Sequence, residues 1–403
     1  MREDFVPLIF AGDINVYSVA RAFHEEYGII SSAIGKYWTW PCSGSKILNY
    51  SANPDADAQE TFLELVCEFA KRHEGKKVIL QGCGDNYVRL VSQNLNSYPE
   101  NVIAPCIGID MLDSLIHKEK FYNMCKNAGI DYPDTFVHRK EMGAEFSLPF
   151  SEPFIIKPSN SIEYWKHPFP GQNKVFKADG RSELERILAD IYAAGYSDSV
   201  IVQDFIPGDD SYMRVLTSYS DKAGKVRMMC LGHVLLEEHT PHGIGNHAVI
   251  ITEREKELEA KFKGLLEGLA YVGYSNFDIK FDRRDGKFKA FEINARPGRS
   301  NYYVTGAGEN VARYIVDDYI DGKASECKFV DRETLWMVVP KKVAFDFIPH
   351  EKYRAQMRRL IKEGKCVNPL SYGPDGGIVR KMRYLKSQLS HFYKYRKYLG
   401  PPS

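Results

Sequence analysis

Glu292-Ile293-Asn294-Ala295-Arg296-Pro297-Gly298 is the stretch on which the fold turns. A carboxylate, an amide and a guanidinium stand at alternate positions, so in a strand they share one face. Upstream, Asn276–Asp282 alternates strictly, with Phe277, Ile279 and Phe281 on one side and Asp278, Lys280 and Asp282 on the other. Arg283-Arg284-Asp285-Gly286 is the turn between the two strands, and Phe288, Ala290, Glu292 and Asn294 share a face on the return. An even-numbered loop pairs Asp278 with Phe291 and sends Asp278 and Glu292 to opposite faces. An odd loop, with Gly286 left-handed at a bulge, brings them together. In that second register Asp278, Glu292 and Asn294 form a hard-oxygen site suited to Mg²⁺, with Mn²⁺ as the natural substitute. The competing reading is a solvated hairpin face, for which this triplet beside Phe291 and Ile293 is an unusual composition.

Around this hairpin lies an ordinary globular chain of 403 residues, 44% apolar and 27% charged, enough for two or three domains. Disorder, collagen and a membrane bundle are excluded, because no apolar run approaches the length of a span. Met1-Arg2-Glu3-Asp4 and the short apolar run after it read as a first strand, not a signal peptide. Eight scattered cysteines without a C-x-x-C suit a reducing compartment, so a cytoplasmic location is expected. The net charge of +1 hides an asymmetry: residues 341–403 carry 15 Lys and Arg against 4 Asp and Glu, a surplus of +11, leaving −10 on the body. Such an end meets an anionic partner or folds back on the acidic body. A nucleotide-linked substrate or peripheral contact with the inner membrane face fits better than nucleic acid, for which no recognition module is present. A homodimer is an open expectation.

Residues 1–115 alternate strand and helix: Phe5–Ala11, a helix from Ile14 capped by Asp13, a strand at 29–34, a helix in the 60s, a strand at 77–81, then Gly82-Cys83-Gly84-Asp85 opening another helix. This βαβ pattern predicts a parallel, Rossmann-like α/β domain, although G-x-G-x-x-G is absent at both turns. A second unit begins near 116, with strands at 154–157 and 200–203 and the clearest helix at 253–269, where Leu258, Phe262, Leu265, Leu266 and Leu269 follow helical spacing. Basic helical stretches are expected at 351–363 and 379–398.

Taken together these pieces resemble the ATP-grasp superfamily over residues 116–330. The resemblance implies an α/β fold in which two α+β subdomains grip ATP, preceded by the 1–115 domain, with a lid region at about 150–206 and a basic extension at 331–403. Glu292 to Gly298 is similar to the family's E-x-N-x-R-x-G segment, which implies Asp278, Glu292 and Asn294 as metal ligands. Arg296 then steadies the carboxylate or acyl-phosphate, with Gly298 and Ser300 beside the substrate. Lys118, after His117 where the family has Asp, and Lys157 in Phe154–Pro158 correspond to the two phosphate-binding lysines. Gln203-Asp204-Phe205-Ile206 resembles the hinge that reads adenine, with Gln203 in place of the usual Glu, and Asp210 falls at the ribose acid. After Lys157 the phosphate loop, normally glycine-rich, reads Ser159-Asn160-Ser161-Ile162-Glu163-Tyr164-Trp165. Ser159 and Ser161 are its candidate phosphate contacts, and 159–176 is the candidate lid.

Within the superfamily, Gly12–Tyr17, Lys157–Trp165 and Ile244–His247 resemble the carboxylate–amine ligases of bacterial cell-wall synthesis, the D-aspartate ligases especially. That implies ATP, Mg²⁺, D-aspartate and the lysine side chain of a peptidoglycan precursor. Another amino-acid or dipeptide ligase is the neighbouring alternative; a non-catalytic nucleotide-binding or membrane-peripheral protein is the distant one. His233, His239, His242 and His247 lack compact zinc spacing and read as a substrate-facing loop or surface residues. Glu238 and His239 are nominees for the general base.

Overall fold

The computed structural model describes residues 2–241, 243–323 and 325–401. Its first sheet is five parallel strands, β1 (Phe5–Phe10), β2 (Ser31–Gly35), β3 (Leu48–Ala52), β4 (Lys77–Gly82) and β5 (Val102–Ile103), in the order β3-β2-β1-β4-β5. Both faces of β1 are buried. Phe5 and Ile9 pack with Tyr17 and Phe23, while Leu8 and Phe10 meet Phe62 and Val66 on the other side. Burial on both faces is why the strand reads as a continuous apolar run rather than an alternation. The helix Ile14–Tyr27 starts where the Asp13 carboxylate accepts from the Asn15 amide at 3.1 Å and stops at Gly28, left-handed at φ 68°.

A four-stranded antiparallel sheet follows, made of β6 (Thr135–His138), β7 (Phe154–Pro158), β8 (Phe176–Ala178) and β9 (Val200–Asp204) in the order β6-β9-β7-β8. The helix Arg181–Ala193 covers it, burying Leu184, Ile187, Leu188 and Ile191 against Ile156 and Val202.

The large sheet comprises β10 (Met213–Ser220), β11 (Val226–Glu237), β12 (His247–Glu253), β13 (Gly273–Asp282), β14 (Lys287–Asn294), β15 (Lys328–Phe329), β16 (Leu335–Met337) and β17 (Cys366–Val367). Its order is β14-β13-β10-β11-β12-β16-β17, with β15 beside β11. The helix Lys256–Gly268 lies on it through the predicted apolar stripe, Phe262 packing on Phe277 with ring centres 4.5 Å apart and the rings tilted by 60°. The large sheet continues past residue 330, so β16 and β17 of the expected extension belong to it. The two basic helices of the extension occupy Glu351–Lys362 and Ile378–Leu399. The second folds back on the body: Gln388 donates to the Val338 carbonyl at 2.8 Å and Tyr395 to the Glu237 carbonyl at 2.8 Å.

The hairpin register resolves the choice left open by the sequence, by neither of the routes considered. The loop is even, residues 283–286, and Asp282 pairs with Lys287. Pairing continues in step to Ile279 and Ala290, where an extra residue, Phe291, is bulged out, so that Asp278 faces Glu292 and Asn276 faces Asn294. Gly286 is left-handed at φ 73°, but the bulge that aligns the carboxylates lies at Phe291.

Candidate active site

The bulge is held from outside the hairpin. The Phe291 carbonyl accepts from the Tyr122 hydroxyl at 2.9 Å, and the Lys157 ammonium sits 4.9 Å from the centre of the Phe291 ring. One displaced residue thereby aligns two carboxylates and seats one of the lysines. Asn294 donates to Asp278 at 3.3 Å, and Arg296 donates to the Asn294 amide oxygen at 3.4 Å. Asp278, Glu292, Asn294 and Arg296 thus form one cluster.

Cations converge on Glu292 from three elements. Lys118, the first residue of the helix Lys118–Asn127, is buried with its ammonium 4.0 Å from Glu292. Lys174, in the loop before β8, reaches Glu292 at 3.7 Å. Lys157 projects from β7 into the same space. Burial is the largest influence on Lys157 and, with Lys118 next to it, brings its titration down to about 8, against the opposing pull of Glu292. Burial likewise lowers Lys118. Burial, then the Glu292 charge, pushes Asp278 up; although burial works against Glu292 too, Lys174, Lys118, Lys157 and Arg296 hold it well below the usual carboxylate range. A cleft of about 590 Å³ opens here, lined by Asp85, Lys118, Ser161, Trp165, Lys174 and Glu292 among others.

The first domain closes one side. Arg296 donates to Asp85 at 2.5 Å, so the Gly82–Asp85 turn faces the cleft. Asn15 bridges the two parts: its amide donates to the Cys83 carbonyl at 2.9 Å and the Pro297 carbonyl at 2.8 Å, while Asn301 donates to its oxygen at 2.6 Å.

The remaining expected residues are less uniformly placed. Ser161 lines the cleft, but the Ser159 hydroxyl is buried against that of Ser199 at 2.8 Å. Gln203 is buried with its amide nitrogen on Thr135 at 2.9 Å, leaving its oxygen only a 3.5 Å contact from Tyr122. Asp204 is paired with Arg284, Phe205 has the Lys177 ammonium 5.4 Å from its ring centre, and Ile206 is buried. Asp210 accepts from the Glu237 amide at 2.8 Å and pairs with His239 at 2.8 Å. Gly298 runs so close to Asn276 that a Cβ would overlap its amide, and Ser300 is buried 3.4 Å from His247.

Of the base nominees, His239 is engaged by Asp210 and Glu238 pairs with Arg299 at 3.3 Å. His233 meets the Ser211 carbonyl at 2.7 Å and Glu253 at 3.4 Å. His242 lies outside the described residues. Among the described residues no three His, Cys, Asp or Glu side chains group as metal ligands.

Sequence reasoning missed Lys174, Asp85, Asn15 and Glu237. Glu237 is pushed up to about 8 by burial and then by the nearby Asp210 and Asp278 charges. Lys174 lay within the expected lid but had no spacing signal of its own.

No family model matches the chain. It is, however, 39% identical to the D-aspartate ligase of Enterococcus faecium over 98% of its own length and 97% of that protein's. The chain belongs to the D-aspartate ligases of the ATP-grasp superfamily. The chain is accordingly an ATP-dependent ligase that forms a carbon–nitrogen bond. A D-alanine–D-alanine ligase of Acetivibrio thermocellus is 25% identical over 48% of the chain and 53% of its own. In fold, the chain resembles N5-carboxyaminoimidazole synthetase of Staphylococcus aureus complexed with ADP, at a TM-score of 0.59 and 12% identity, over 95% of this chain and 96% of that one. An L-amino acid ligase from Bacillus licheniformis gives a TM-score of 0.50 at 15% identity, over 79% and 71% of the two chains.

Proposed function

We propose that the ligase joins D-aspartate, through its side-chain carboxylate, to the lysine ε-amine of a peptidoglycan precursor in the cytoplasm. The observation that carries this reading is the near full-length similarity to a D-aspartate ligase, coupled to a cleft whose cations and carboxylates suit phosphoryl transfer. The carboxylate oxygen takes the γ-phosphoryl group of ATP, releasing ADP. The amine nitrogen then attacks the acyl carbon, forming the amide bond, expelling phosphate and losing a proton.

Phosphoryl transfer spreads negative charge over oxygens, so fixed cations supply most of the catalysis. Lys118 and Lys157 are assigned to the phosphates and Arg296 to the reacting carboxylate, whose planar oxygens match a guanidinium fork. Lys174 reaches Glu292 from the lid segment and couples its position to the charge in the cleft. Arg296 is already oriented by Asp85 and Asn294. Asp278, Glu292 and the Asn294 oxygen are a hard-oxygen donor set that fits Mg²⁺, which when bound neutralises phosphate charge. The hinge Gln203–Ile206 is assigned to the adenine, with the Gln203 oxygen as acceptor, and Asp210 to the ribose side. Residues 159–176, carrying Trp165 and Lys174, are the lid that protects the acyl-phosphate from water.

Hydroxylamine trapping tests this directly. With ATP and Mg²⁺, D-aspartate is expected to give an aspartyl hydroxamate in step with ADP, and L-aspartate little. Equal trapping with both, or trapping with a different amino acid alone, removes the D-aspartate assignment while leaving the ligase.

A further inference from the structure

The helix Ile378–Leu399 has two unlike sides. Arg380, Gln388, His391 and Tyr395 are buried against the body. On the outer side, Ile378, Met382, Leu385, Leu389 and Tyr393 recur at helical spacing and are 81, 67, 59, 59 and 67% exposed. Five large apolar side chains in one stripe along about 22 Å of helix are not the scattered singles normal on a soluble surface. The helix also carries seven Lys and Arg and no Asp or Glu. Among the described residues, only Arg380 of the seven is paired with a carboxylate, Asp375 at 2.8 Å. Lys381 flanks the stripe on one side, Lys386 and Lys397 on the other, and all three are exposed.

We propose that this outer face docks the enzyme on an anionic lipid bilayer. An apolar stripe bordered on both sides by unpaired lysines matches the acyl–headgroup boundary of such a bilayer: the leucines enter the acyl region and the ammonium groups stay at the phosphates. A second copy of the same face is the poorer occupant, because apposed helices would set like-charged lysine rows against each other with no acid between them. The opposite flank, through Ser387, His391 and Lys394, faces a cavity of about 480 Å³ shared with Asp13 and Arg299. Docking by the outer face therefore leaves that cavity on the side away from the lipid.

The test is co-sedimentation of the full chain with vesicles of phosphatidylcholine alone and of phosphatidylcholine mixed with phosphatidylglycerol, at low and high salt. Binding to the anionic vesicles is expected to exceed binding to the neutral ones by about tenfold or more and to fall with salt. Leu385→Gln with Leu389→Gln is expected to cut partition about tenfold. Lys381→Glu with Lys386→Glu is expected to remove the preference for anionic lipid. Both double variants should keep the wild-type thermal midpoint and ADP release on soluble substrates, since neither touches the cleft or the buried side. Wild-type protein left in the supernatant with anionic vesicles overturns the proposal, as does full retention of binding by both double variants. So does a wild-type dimer in sedimentation velocity that the leucine variant converts to monomer, which assigns the face to a second copy.

Discussion

Glu292→Gln removes one charge and nearly no volume, at the point where three lysines and an arginine converge. The Lys118 ammonium is 4.0 Å from Glu292 and buried, a gross attraction of about 4 kcal/mol at an effective dielectric near 20. Lys174 is closer, at 3.7 Å, but its side chain is 60% exposed, so solvent reduces that pair to about 1 kcal/mol or less. Lys157 already titrates near 8 with Glu292 supporting its charge. Withdrawing that support lowers the lysine's titration further. At a given pH near neutrality the variant's lysine carries its proton less often than the wild type's. Nucleotide affinity should therefore weaken as pH rises in both proteins, beginning at a lower pH in the variant. Calorimetric titration with ADP between about pH 6 and 9 reads this shift. Turnover, followed as ADP release, should fall by about 10²–10³ as the cluster loses its central acceptor. Turnover within about threefold of wild type, with an unshifted binding profile, would refute the reasoning.

Three other outcomes follow from the same structure. Lys174→Met should leave the thermal midpoint unchanged, because the side chain is largely exposed, yet lower kcat/KM about tenfold if the lid lysine senses cleft charge; an unchanged kcat/KM would remove it from the site. Gly298→Ala forces a methyl onto the buried Asn276 amide, which also accepts from Thr217 at 2.9 Å, and should cost about 1–3 kcal/mol in denaturant unfolding. His247 and His391 are held neutral down to about 4, in each case chiefly by burial. The unfolded chain protonates them near 6.5, so it binds more protons below that pH. Stability should therefore be complete above about 6.5 and decline as pH falls towards 4. His391→Gln should lessen that decline; a wild-type thermal midpoint flat over this interval contradicts the sign.

The strands of the hairpin were legible in the sequence because strict alternation fixes side-chain faces, and the E-x-N-x-R run fixed the family resemblance. What alternation alone left open was whether Asp278 and Glu292 share a face. That depends on the bulge at Phe291, and the bulge rests on Tyr122 and Lys157, about 170 and 130 residues upstream in the chain. No local pattern encodes such a contact. Asn15 was hidden for the same reason, since its partners Cys83, Pro297 and Asn301 come from remote segments. Proximity alone could not show the surroundings of Ser159: it follows Lys157 at the strand end, and its hydroxyl meets that of Ser199. The tail was legible as helix and as basic. Which side met the body followed only from Gln388 and Tyr395 docking on the Val338 and Glu237 carbonyls.

The most direct measurement is ADP release, with mass analysis of the acceptor, on incubating the full chain with ATP, Mg²⁺, single D- or L-amino acids and a lysine-containing muramyl pentapeptide. Release should require D-aspartate and leave the acceptor heavier by one aspartyl residue. Release with other amino acids and an acceptor that gains no aspartate would contradict the substrate assignment, and no release with any pair would contradict the enzyme.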